Sequence, residues 1–385
     1  KFRLGLFENP FIDLKKKDKI VFNEKHQQTA LEGARKSIVL LKNEGNMLPL
    51  DASKYKKVFV TGHNANNQSI LGDWAMEQPE EHVTTVLKGL KAISPETNYN
   101  FLDLGWNVRL LSDNQIKEAV QQARNSDLAI LVVGENSMRY HWNEKTCGEN
   151  SDRYELSLPG RQQELVKAVA ATGVPTVVIL VNGRPLTTEW IDENMPCIIE
   201  AWEPGVAGGQ ALAEILYGKV NPSGKLPITI PRSTGQIQCM YNHKFTNHWF
   251  PYATGNSLPL YEFGYGLSYT TYKYENLKLS EATITPDKSV KVTVDVTNTG
   301  KMDGEETVQL YIRDEYSSAT RPVKDFARIP LKAGETKEVS FTLTPEMLSY
   351  YDANMHYGVE KGTFKIMVGA SSRDTDLQSI ILTVK

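Results

Sequence analysis

Cysteine is scarce in this sequence. Cys147, Cys197 and Cys239 are the only three in 385 residues, an odd number without any CxxC spacing, which argues against a disulfide framework and a cysteine-based metal site. No apolar run approaches the roughly 18–20 residues that a membrane-spanning helix needs. Charge of one sign is also missing. The formal net charge is -3, so there is neither the basic excess that nucleic acid selects nor a block of like charge suited to an interaction tail. Familiar cofactor motifs are absent too. GVAGGQ at 205–210 is not GxGxxG, and NPSGKLP lacks the leading glycine spacing and trailing Ser/Thr of a phosphate loop. The seven histidines form no HExxH pattern, and no GxSxG elbow occurs. Dinucleotide, zinc-protease and serine-hydrolase chemistries therefore find no support.

The length exceeds one ordinary core, and two or three domains are expected. Residues 57–232 alternate short apolar runs with helical patterns. The runs are KKVFVTG (56–62), SDLAILVVGE (126–135), VPTVVILVNG (174–183) and PCIIEAWEPG (196–205). Between them GRQQELVKAVAA places Leu165, Val166, Val169 and Ala170 in one stripe, and GGQALAEILYG does the same with Ala211, Leu212, Ile215 and Leu216 before Gly218. Continuous apolar strands separated by amphipathic helices predict an α/β domain whose mostly parallel sheet is covered on both faces. From 233 to 270, Tyr, Gly, His and Asn dominate without periodicity, as in an ordered linker packed by its aromatics. After 271, Val290, Val292, Val294 and Val296 alternate strictly, and ETVQLYIRD, ETKEVSFTLT, GTFKIMVGA and SIILTVK follow. That pattern predicts an antiparallel β-sandwich.

Ligands of open α/β sheets bind beyond the carboxyl ends of the strands. The segments there are GHNAN, GENSMRYHWNEKTCGENSDR, NGRP and WEPG. The second, at about twenty residues, exceeds the usual 2–6 for such a connection. It carries or borders Glu135, Glu144, Glu149, Asp152 and Glu155. A solvated side chain is the ordinary state of any one of these. A general acid must hold a proton near neutral pH, which for Glu requires partial burial or a second carboxylate nearby. Asp152 and Arg153 read as hydrogen-bonding pins for the loop, Cys147 as a small buried residue, and Trp74 and Trp142 as residues able to stack on a sugar ring or to pack.

The ordered set LGLFENPF, ARKSIVLLKNEGNMLPL, VTGHNAN, GENSDRYELSLPGRQQELV, VVILVNGRPL, EAWEPGVAGGQALAEILYGKVNPSGKLPITIPR and YEFGYGLSYT resembles the C-terminal half of glycoside hydrolase family 3. RPVKDFARIPLKAGETKEVSFTL resembles that family's trailing fibronectin type III-like domain. The resemblance implies an (α/β)6 sandwich at 31–232, an ordered linker at 233–270 and the fibronectin type III-like domain at 271–385. Residues 1–30 would link to an N-terminal barrel, absent from this sequence, that carries the nucleophile. KFRLGLFENPF at 1–11, with neither an initiator methionine nor a secretory leader, reads as the interior of such a longer protein.

The resemblance further implies a retaining, exo-acting β-glycosidase without cofactor or metal. A β-glucosidase is expected first and a β-xylosidase second; a non-catalytic carbohydrate-binding or structural module is the rival from another class. Glu149, ahead of Asp152-Arg153 and LSLPGRQ, matches the general acid/base. Glu144 and Glu135 are the alternatives, because this loop varies in length across the family. Trp74 and Trp142 would line the substrate side. The expected partners are a β-glycoside or oligosaccharide and the barrel, with no nucleic acid and no membrane span, in a periplasmic or secreted setting. A loop whose contact surface lies on another domain is expected to be loosely held over 136–152.

Overall fold

The computed structural model describes residues 1–11, 13–236, 239–242, 252–316 and 321–385. The expected linker at 233–270 thus falls partly outside the described residues.

Short turns and a one-turn helix α1 (Lys17–Ile20) lead into α2 (Glu24–Ser37), whose N-terminus is capped by the Asn23 side chain accepting from the His26 amide. The α/β domain then runs through β1 (Val39–Asn43), β2 (Lys57–Thr61), α3 (Val86–Ile93), β3 (Asn98–Leu102), α4 (Asp113–Arg124), β4 (Leu128–Gly134), α5 (Gln162–Ala170), β5 (Thr176–Val181), α6 (Glu189–Asn194), β6 (Cys197–Glu200) and α7 (Gly208–Leu216). The strand order is β1-β6-β5-β4-β2-β3. All neighbours are parallel except β1, which pairs antiparallel with β6.

The continuous apolar runs are explained by two cores. Val58, Val60, Ile130 and Val132 pack with the helices α2, α3 and α7. Phe59, Ala129, Leu131 and Val133 pack on the other face with α4 and α5. Successive side chains of one strand thus feed opposite layers, and polar alternation is lost. Glycine sets the spacing of α3 and α7: a Cβ at Gly209 would lie 2.0 Å from the Thr85 carbonyl oxygen, and one at Gly89 would lie 2.1 Å from the Gly209 carbonyl.

The second domain comprises β7 (Tyr272–Leu279), β8 (Thr283–Ile284), β9 (Val290–Asn298), β10 (Gly304–Asp314), β11 (Val323–Leu331), β12 (Thr336–Leu343), α8 (Pro345–Leu348), β13 (Tyr350–Tyr351), β14 (Tyr357–Gly358), β15 (Gly362–Gly369) and β16 (Leu377–Val384). A five-stranded sheet, β11-β10-β15-β16-β8, faces a three-stranded one, β12-β9-β7, and β13 and β14 form a small separate hairpin. The four alternating valines of β9 point inward against Val308, Leu310, Ile366 and Val368. Pro330 sits in β11, at the sheet edge, where its missing N–H interrupts no ladder.

Polar contacts join the two domains. Gln309 Nε2 donates to the Gly264 carbonyl at 3.1 Å, Arg373 grips Glu262 at 2.8 and 3.1 Å, and Lys225 Nζ lies 3.5 Å from buried Glu306. Leu267 forms an antiparallel bridge to Leu40, its amide donating to the Leu40 carbonyl at 2.8 Å. The segment after the α/β domain therefore lies along β1.

Candidate active site

The chain reverses its direction of travel across the sheet between β2 and β4: β3 lies on one side of β2 and β4 on the other. The connections leaving β2 and β4 consequently meet at their carboxyl ends, the position at which open α/β sheets bind ligands. Asp73 lies on the first connection and Glu149 on the second.

Asp73 ties the two together. Its Oδ2 accepts from the Glu149 amide at 2.6 Å. Its Oδ1 accepts from Lys145 Nζ at 3.1 Å and pairs with Arg139 Nη1 at 3.3 Å. The Lys145 side chain is fully enclosed, and its ammonium also donates to the Glu149 carbonyl at 3.1 Å. Burial raises the Asp73 carboxyl, but the Glu149 amide and the Lys145 ammonium pull it further down, to a net position below the ordinary carboxylate value.

The Glu149 side chain is 41% exposed. Arg139 donates to its Oε2 from both Nη atoms, at 2.5 and 3.2 Å. The same guanidinium lies 3.9 Å from the centroid of Trp74 and 5.2 Å from that of Trp142. Trp74 has a φ of 58° and is 74% exposed. For a residue with a bulky side chain this left-handed backbone is uncommon and costs conformational energy. A pocket of about 440 Å³ adjoins this cluster, lined by Trp142, Asn143, Asn150, Asp152 and Arg109 among others.

The other candidate carboxylates lie elsewhere. Glu144 is half-buried on the short 3-10 stretch Arg139–Glu144. Glu135 is enclosed at the end of β4, held by Arg153 Nη1 at 3.1 Å and Arg184 Nε at 3.3 Å. Burial raises its carboxyl against the pull of both guanidinium groups. Arg153 also donates to the Ser157 carbonyl at 2.7 Å, so it pins the loop, whereas Asp152 is exposed. Cys147 is buried, its thiol 3.7 Å from Glu203 Oε1. Burial raises both groups. Glu200 completes an acidic layer beneath the loop, accepting from the Trp202 amide at 2.9 Å and Asn182 Nδ2 at 3.2 Å. Burial pushes its carboxyl up to about 8.

The sequence reading brought Glu149, Trp74 and Trp142 forward, and the structure places all three around one guanidinium. It missed Asp73, Arg139, Lys145 and the layer formed by Glu200 and Glu203. Asp73 directly precedes Trp74 in LGDW (71–74) and belongs to no motif that marks it from sequence. The expectation of a loosely held loop over 136–152 needs correction at two segments. Asn136, Ser137, Met138, Lys145, Thr146 and Cys147 are buried against the chain's own α/β domain, because the connections leaving β2 and β4 pack on each other, whereas Trp142, Asn143, Glu149, Asn150 and Asp152 are exposed.

The profile of the glycosyl hydrolase family 3 C-terminal domain matches residues 38–269. The chain belongs to glycosyl hydrolase family 3. A fibronectin type III-like domain matches residues 306–372. Among curated relatives, a β-xylosidase of Formosa agariphila is 41% identical over 100% of this chain and 54% of its own length. A periplasmic β-glucosidase of Salmonella typhimurium is 37% identical over 97% of the chain and 52% of its own length. The chain thus spans about half the length of the curated family 3 relatives it matches. Among solved structures, a β-glucosidase of Listeria innocua with laminaribiose superposes with a TM-score of 0.90 at 30% identity, over 100% of this chain and 53% of that one. A β-glucosidase of intestinal bacteria involved in saponin metabolism gives 0.91 at 33% identity, over 100% and 58%.

Proposed function

We propose that this chain is the acid/base-bearing portion of a retaining, exo-acting β-glycosidase that removes terminal glucose from β-glucosides. Its active site is completed by a preceding barrel domain that supplies the nucleophile. The observation that carries this reading is the Glu149 carboxyl group. It is solvent-accessible on the long connection beyond β4, and its backbone is fixed by Asp73 and Lys145. Retention needs two carboxyl groups about 5–5.5 Å apart. The barrel's carboxylate attacks the anomeric carbon while Glu149 gives its proton to the departing glycosidic oxygen. Glu149, now ionised, takes a proton from water, whose oxygen attacks the same carbon and releases the nucleophile. Every proton lent in the first half is returned in the second, so no cofactor or metal enters the scheme. Trp74 and Trp142 offer exposed indole faces on the leaving-group side. Kinship with the Salmonella periplasmic enzyme supports a periplasmic or secreted setting. The Formosa relative makes β-xylosides the second substrate class to assay.

The test is Glu149→Ala in the full-length protein. Removing general acid catalysis should cost on the order of 10²–10⁴-fold on a poor leaving group. A dinitrophenyl glycoside, which departs unaided, should be spared in its first step. Azide should then restore turnover and give a β-glycosyl azide of retained configuration. Near-wild-type rates on both substrates would sink the assignment. The same rescue at Glu144→Ala or Glu135→Ala would move it to that residue.

A further inference from the structure

We infer that Arg139 is a positioning residue for the acid/base carboxyl group, anchored by Asp73 and packed near the rings of Trp74 and Trp142. The inference rests on the acid/base reading of Glu149.

Exposed ion pairs seldom hold a side chain in one place, since two long side chains lose entropy for a screened attraction. Arg139 differs in three respects. It is only 17% exposed, and two indole rings flank its guanidinium, a face that favours stacking on aromatics. Its Nη1 is shared between Glu149 and Asp73. Asp73 is in turn fixed by Lys145, which is fully enclosed, and by the Glu149 amide. The carboxyl group at the end of this chain is therefore held through both its backbone and its side chain. The strained backbone of Trp74 serves the same end, since it turns the indole onto Arg139.

Both hydrogen bonds from Arg139 fall on Oε2, and among the described residues none reaches Oε1. An oxygen that accepts two N–H donors is not the one that carries a proton, so Oε1 delivers it. After delivery the carboxylate must stay aimed at the incoming water, and the guanidinium holds that ionised form in place. Arg139 would thus contribute to both halves of the cycle without touching substrate.

The test uses the full-length protein with Arg139→Met, which keeps an apolar stem beside the indoles, and Arg139→Lys. A misplacement of the carboxyl group near 1 Å costs about 10²-fold where proton donation is needed. Arg139→Met should therefore lower kcat/KM for an alkyl glucoside or disaccharide by about 10–10²-fold and for a dinitrophenyl glucoside by less than about 3-fold. Arg139→Lys should recover part of the difference, and Arg139→Met should add nothing in a Glu149→Ala background. If Arg139→Met does not fold, Arg139→Lys alone must still show the leaving-group-dependent loss. Equal losses on both substrates, or none, overturn the inference. Azide rescue of Glu149→Ala in the same series shows separately whether the acid/base reading stands.

Discussion

The amide of Glu149 and the carboxylate of Asp73, separated by 76 positions in the chain, meet at 2.6 Å. Gly148 makes this approach possible. Its φ is 87°, and a Cβ there would fall 2.6 Å from Asp73 Oδ2. The left-handed backbone and the lack of a side chain are both required, because any L residue would have to displace the carboxylate that anchors its neighbour.

Asp73→Asn should destabilise the protein by roughly 3 kcal/mol at neutral pH, since it leaves the enclosed Lys145 ammonium without its counter-charge. The folded-state carboxyl titrates below its ordinary value. Its contribution is therefore fully present above about pH 4 and is lost as the pH falls through that lower value. Chemical denaturation at pH 7 and at pH 3 should show the gap between wild type and variant shrinking in acid. A gap that is constant across that range would refute the charge-based account.

Glu200 titrates near 8 in the folded protein, against about 4.3 for an unperturbed glutamate. Folding therefore takes up a proton between those values, and this group makes stability decline as pH rises from about 4 to 8. Glu200→Gln removes the linkage. Asn182 Oδ1, buried and without a partner among the described residues, can accept from the new amide. The variant should be more stable at pH 8 by a few kcal/mol, with a flatter dependence of Tm on pH between 5 and 8. An unchanged slope would show that Glu200 is ionised in the fold.

The domain interface has its own buried carboxylate. Glu306 is 2% exposed, with Lys225 Nζ at 3.5 Å and the Tyr274 hydroxyl donating at 2.8 Å. Burial raises its carboxyl against the pull of Lys225. Lys225→Met should cost about 3 kcal/mol by stranding that charge. Glu306→Gln in the Lys225→Met background should recover part of the loss. Denaturation of the four proteins of this double-mutant cycle measures the coupling, and strictly additive effects would mean that the pair contributes nothing.

What the sequence disclosed follows from what is local. The runs that became β2, β4, β5 and β6 are contiguous, and the two-sided burial that erases their alternation is itself a signal. β1 was not recognised, because its five residues continue the helical pattern of α2 without a break. β3 was missed because it is an edge strand with Asn98 and Asn100 exposed. In the site, the long loop offers several carboxylates, among which the family resemblance singles out Glu149 with Glu144 and Glu135 as alternatives, and two tryptophans stand near it in the sequence reading. The cluster of Asp73 with Arg139, Lys145 and Glu149 could not be nominated, since it exists only once the connections leaving β2 and β4 have been brought together. Charged residues in a connection look alike until the fold decides which are enclosed: Lys145 is buried, whereas Glu144 is half-buried and Glu149 and Asp152 are exposed.

The bridge from Leu267 to Leu40 bears on solubility. β1 is an outer strand of the six-stranded sheet, and outer strands carry unpaired amides and carbonyls that can template pairing with another molecule. Here the Leu40 carbonyl is occupied by the Leu267 amide, and the Leu41 carbonyl accepts from the Tyr265 hydroxyl at 3.1 Å. A fragment ending after α7 would keep the whole sheet yet leave that edge bare. Such a fragment would be prone to join its copies edge to edge, and Tyr265 and Leu267 act as its guard.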